Sequence, residues 1–228
     1  MKTIKNDYIS EIEINKSRFI TLLYRINSVD LVKEKLDLVK SLYKDATHYC
    51  YAYVVDDNKK SSDDGEPGGT AGVPIMEVLL KNDLNYVLCV VVRYFGGIKL
   101  GAGGLVRAYS KSVSSILIDE NITELIPGYE IVFDTSYDNQ KNIDYLLKDI
   151  KIEKEYLDII KYKIFIPKDK LNILNNIDYK IIKEIYILKN KKKVPLLFIM
   201  VIGNNIHAIL TFHYPLLFVL VLNVMLCL

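Results

Sequence analysis

Three carboxylates, Asp63, Asp64 and Glu66, stand in the stretch SSDDGEPGGTAGVP (61–74), among Gly65, Gly68, Gly69 and Gly72 and beside Pro67 and Thr70. Oxygen ligands at this density can hold Mg²⁺, which takes one or two carboxylates and keeps several waters. The same residue types also build turns: Asp hydrogen-bonds its own backbone, and glycine takes the left-handed positions. The D-x-D-x-D-G…E spacing of a calcium loop is absent. Turn and metal loop both remain open, with the turn the simpler reading.

A second cluster, RYFGGIKLGAGG (93–104), places Gly96, Gly97, Gly101, Gly103 and Gly104 around Lys99, after Arg93. Arg107 and Lys111 follow at i and i+4, a spacing that puts both cations on one helix face. Nine of the eleven glycines lie between residues 65 and 104, and glycine so concentrated implies positive φ or close backbone approach. A strand, a glycine-rich loop and a helix N-terminus together offer free N–H groups and a favourable dipole to an anion. The anion-binding candidates are therefore Arg93, Gly96, Gly97, Lys99, Gly101, Gly103, Gly104, Arg107 and Lys111. The competing reading makes Gly96–Gly97 a tight turn and the cations a solvated helix face. Neither nucleotide fingerprint, G-x-x-x-x-G-K-[ST] or G-x-G-x-x-G with a following acid, is matched.

His48 and Cys50, two apart in THYCYAYVV (47–55), share one face of a strand. A Cys/His nucleophile pair needs a third, orienting residue, and none announces itself. No catalytic residue is assigned, and no cofactor is expected.

The elements that must position these groups follow from periodicity. Strands are expected at 8–14 and 18–26, joined by a turn at Asn15–Ser17. A helix capped by Ser28 carries Val29, Val32, Leu36, Val39 and Tyr43 on one face. Strand 47–55 leads into a polar loop reaching about Ala71, then a short helix with Pro74 in its first turn. YVLCVVVRYF (86–95) is nearly continuous in apolar residues and reads as a strand buried on both faces. The helix after the second glycine cluster buries Leu105, Val106, Tyr109, Val113, Ile116 and Leu117. Beyond Pro127 the order is strand 129–135, helix 138–149, strands 150–157 and 159–166, helix 168–176 and strand 180–188, a βαββαβ ferredoxin-like plan.

The chain has 228 residues, half of them apolar and a quarter charged, with a formal charge of +2. Any polyanion surface must then be a local patch. Cys50, Cys89 and Cys227 are scattered and fit a reducing compartment rather than a disulfide framework. The charged, alternating start reads as no secretory leader, and a cytoplasmic location is expected. From Val194 to Leu228 there is no Lys, Arg, Asp or Glu, and KNKKK (189–193) precedes this tail. Three readings of the tail stay open: the product of a reading-frame slip in an A-rich gene segment, a C-terminal membrane anchor, or core packing.

KSRFI (16–20), THYCYAY (47–53), SDDGEPGGTAGVPI (62–75) and VVVRYFGGIKLGAGGLVRAYS (90–110) resemble, in the same order, the IMPACT/YigZ family. The resemblance covers residues 1 to about 125, and 128–188 resemble the small second domain of bacterial members. It implies an α+β protein: an N-terminal α/β two-layer domain (1–126) similar to elongation factor G domain IV, a ferredoxin-like domain (127–190) similar to its domain V, and an atypical tail (191–228). It also implies a noncatalytic role in translational control, with RNA, the ribosome or a translation factor as partner. The alternative is a Mg-dependent phosphate- or nucleotide-handling enzyme, which would require the two glycine segments to converge in space.

Overall fold

The computed structural model describes residues 1–189 and, beyond them, the backbone strands at 196–202, 205–211 and 222–223. It divides into two units, Met1–Lys189 and Asn190–Leu228. The first unit runs β1 (Lys2–Ile4), β2 (Tyr8–Ile14), β3 (Ser17–Arg25), α1 (Asp30–Leu42), β4 (His48–Val55), β5 (Asn58–Ser62), α2 (Gly72–Lys81), β6 (Val87–Tyr94) and α3 (Gly101–Ser114). It continues with β7 (Ile122–Thr135), α4 (Gln140–Leu146), β8 (Lys151–Tyr156), β9 (Ile160–Pro167) and β10 (Lys180–Leu188).

The first sheet has the order β2-β3-β6-β4-β5 and is antiparallel throughout. Central β6 explains itself by its composition. Val87, Cys89 and Val91 pack with Ile75 and Leu79 of α2 and Leu105, Ala108 and Tyr109 of α3. Leu88, Val90 and Val92 pack on the other side with Val32 and Val39 of α1. Helices on both faces remove the polar alternation an antiparallel strand usually shows. The expected two layers are thus three, because α1 covers the face opposite α2 and α3.

The second sheet has the order β10-β7-β9-β8, with β1 joined to the start of β7. Ile131, Phe133, Tyr162, Ile164 and Ile166 of this sheet close a separate core with Ile143, Leu147 and Leu174. Strand β7 is longer than its sequence suggests and runs through Pro127. Proline fits there because pairing with β9 begins only at Gly128, which leaves one edge of Pro127 without a ladder.

Other differences have simple causes. β1 and β5 were not legible as strands: the first has three residues, and the second, NKKSS, is a polar edge that pairs only with β4. The helix expected at 138–149 is a 3-10 turn (Tyr137–Asn139) followed by α4, and that at 168–176 is a 3-10 helix, Lys168–Leu174. Ser28 caps nothing; its hydroxyl points at the Asp30 carboxylate, 3.5 Å away.

In the second unit, β11 (Leu196–Ile202), β12 (Asn205–Thr211) and β13 (Leu222–Asn223) form an antiparallel sheet. The readings of the apolar tail otherwise fall outside the described residues. Among the described residues, no helix is long and apolar enough to cross a membrane.

Candidate functional site

The hairpin joining β2 to β3 pairs Ile14 with Ser17, so its loop is the dipeptide Asn15–Lys16. Both residues have positive φ, 47° and 62°, as a type I′ turn requires. Gly96 lies directly against this turn: a Cβ there would sit 2.0 Å from the Lys16 carbonyl. The absence of a side chain therefore lets the glycine loop and the hairpin touch. Gly97 and Gly101 take positive φ, 85° and 69°, and α3 then carries Gly103, Gly104, Arg107 and Lys111 away from the loop.

Between the hairpin and α3 lies an open depression of about 300 Å³, bordered by Ile14, Asn15, Leu100, Gly104, Arg107 and Lys111. Lys16, Lys99, Arg107 and Lys111 are all exposed. No acid of the described residues lies within ion-pairing distance of any of the four. Asn15 and Lys16 belong to this surface although the sequence marked them only as a turn; no local signal links them to residues some ninety positions later.

Arg93 is a correction. It was expected as a surface cation but is 5 % exposed. Its Nη1 donates to Glu66 Oε1 at 2.5 Å, and its guanidinium lies over the rings of Phe19 and Phe95, 5.4 and 5.5 Å from their centroids. The Nε–H is buried without a hydrogen-bond partner, so the aromatic faces supply part of what water would have given it. The reason is register: Arg93 shares a β6 face with Val91 and Cys89, the face that α2 and α3 cover.

Glu66 also accepts a bond from the Tyr109 hydroxyl, 2.7 Å away, and lies 8 % exposed. The two glycine segments therefore do converge, through the triangle Glu66–Arg93–Tyr109. Burial drives the Tyr109 phenol far above the usual tyrosine range, with the neighbouring Cys50 and Glu66 adding to the effect, so it remains a donor. Cys50 Sγ lies 3.2 Å from the Tyr109 oxygen and 3.0 Å from the Asp63 carbonyl. Burial pushes its thiol up to about 12, which leaves no thiolate for nucleophilic work.

The remaining carboxylates are committed as well. Asp63 accepts N–H bonds from Gly69 and Ala71, both 2.9 Å, and from Gly72, 2.8 Å. Burial acts to raise its pKa, but these three donors outweigh it and hold the carboxyl below the usual range. Asp64, in the left-handed region at φ 43°, accepts from the Tyr49 N–H at 2.7 Å. Its carbonyl accepts from His48 Nδ1 at 2.8 Å, which turns Nε2 toward Glu66 Oε2, 3.9 Å away. Among the described residues, no three His, Cys, Asp or Glu side chains gather as a metal would require. Asp63 folds the loop through these bonds, and Gly72 fits because a Cβ would meet the Ser62 backbone at 2.7 Å.

The fold and this doubly anchored glycine surface define an α+β protein whose signature segments, far apart in sequence, fasten to one another. A family model for the Impact N-terminal domain matches residues 15–117. The chain is 36 % identical over 167 residues to the IMPACT family member YigZ of Escherichia coli, covering 70 % of this chain and 82 % of that protein. It is 50 % identical over 125 residues to the IMPACT family member YvyE of Bacillus subtilis. That match covers 54 % of this chain and spans only somewhat over half, 58 %, of the Bacillus protein. A crystal structure of a hypothetical protein aligns with a TM-score of 0.56 at 32 % identity, covering 80 % of this chain and 97 % of the other. The chain belongs to the IMPACT family.

Proposed function

We propose that this protein is a noncatalytic binding protein of translational control, contacting RNA, the ribosome or a translation factor through the glycine-loop surface. The observation that carries this is the unpaired character of Lys16, Lys99, Arg107 and Lys111. Several cations of the second sheet, by contrast, are neutralised: Lys163 and Lys183 flank Glu130 at 3.1 and 3.2 Å, and Lys154 meets Asp144 at 2.6 Å. A phosphate chain gains most where no acid must first be displaced. Family membership supports the link to translation.

The alternative, a Mg-dependent phosphate- or nucleotide-handling enzyme, gains from the convergence of the two glycine segments. It loses because Asp63 spends both oxygens, and Asp64 and Glu66 one each, on protein donors, where a metal site would need them turned outward.

We read residues 1–126 as the domain similar to elongation factor G domain IV and 127–190 as the ferredoxin-like one, with 191–228 apart. The antiparallel order β10-β7-β9-β8 and the separate second core support the ferredoxin-like part.

The test is association of the full chain with ribosomes and with RNA at low salt. Arg107→Ala and Lys111→Ala should each weaken it and reduce the salt dependence by about one unit of slope. Unchanged association in both variants would sink the proposal.

A further inference from the structure

Phe95 is an aromatic side chain left 45 % exposed at the entrance to the glycine loop. It is held in place from two directions. Its backbone N–H donates to Thr47 Oγ1 at 3.0 Å, and its ring rests against the Arg93 guanidinium at 5.5 Å. Arg93 is itself held by Glu66 at 2.5 Å and lies over the Phe19 ring. The next residue, Gly96, is the one pressed against the Lys16 backbone, so the ring stands one residue from the hairpin turn that carries Lys16. A half-exposed ring fixed against a buried cation, on the loop that leads to Lys99 and α3, is an arrangement that takes a nucleobase while phosphates occupy nearby charges.

We infer that Phe95 is a stacking platform for one base of a single-stranded RNA segment whose phosphates lie along Lys16, Lys99, Arg107 and Lys111. This deepens the proposed function and rests on it. A duplex is disfavoured as ligand because its bases are already stacked and unavailable to the ring.

The probes are a single-stranded RNA dodecamer, the same length of abasic ribose-phosphate, and a duplex, each titrated by fluorescence anisotropy into the full chain at low salt. Phe95→Ala should weaken the single-stranded RNA by about 5- to 100-fold and leave the abasic strand within about twofold. Phe95→Trp should restore the affinity. Unchanged binding of the abasic strand also shows that the variants remain folded. If Phe95→Ala changes the two strands equally, or neither, the platform is wrong, while the cation surface stands provided Arg107→Ala still loses affinity. If the unaltered chain binds none of the three probes, both the platform and the proposed RNA contact fall, and a protein partner takes their place.

Discussion

Replacing Glu66 by glutamine keeps the shape of the buried triangle and removes its negative charge, so the Arg93 guanidinium would remain enclosed without a counter-ion. A buried pair broken in this way costs about 3–5 kcal/mol. Urea unfolding of Glu66→Gln should therefore show a much lower midpoint, and adding Arg93→Met should recover part of the loss. Asp63 makes a second prediction, in pH. Its folded pKa is depressed, the backbone donors outweighing burial. A depressed carboxylate contributes stability above its unfolded value of about 3.9, and that contribution disappears as the pH falls through the folded value. Acid unfolding should steepen below about pH 4, and Asp63→Asn should flatten that limb while lowering stability at neutral pH.

Glycine at two positions decides how whole elements meet. Gly96→Ala would drive a methyl into the Lys16 carbonyl and Gly72→Ala one into the Ser62 backbone, both unyielding partners. Overpacking of this kind costs about 1–3 kcal/mol. Gly68→Ala, with nothing within 4 Å of the new methyl, should be nearly neutral, and thermal unfolding of the three variants side by side checks the contrast. Gly96→Ala should also weaken RNA association, because it separates the hairpin from α3. The type of most elements was legible in the sequence, since β6 and α1 carry strong apolar periods. The polar edge strand β5 was not, because it is held by backbone pairing that leaves no mark on side-chain pattern.

For the molecule as a whole, a formal charge of +2 gives no long-range field, so association with a polyanion must arise from distribution rather than sum. RNA affinity should fall steeply with salt, and neutralising a cation of the glycine-loop surface should matter far more than neutralising a paired one. Lys163→Ala or Lys183→Ala on the second sheet should change the affinity and its salt slope little, as each is already engaged by Glu130. An equal effect at both places would point to diffuse attraction and argue against a localised site; salt titrations of the four variants decide.

The glycine density, the acidic turn and the cations at 107 and 111 were readable from the sequence by itself, because each depends on neighbours within a few positions. They located the family signature and the surface that bears it. Tertiary structure decided which of those charges are free. Arg93 and Glu66 look solvent-bound in a linear reading, yet pairing of β6 between β3 and β4 turns Arg93 toward the helices that carry Tyr109. Lys16 looked like an ordinary turn residue until Gly96 was seen against its backbone. Burial and charge pairing depend on contacts between residues far apart, 27 positions for Arg93 with Glu66 and 43 for Tyr109 with Glu66, and local pattern cannot carry that information.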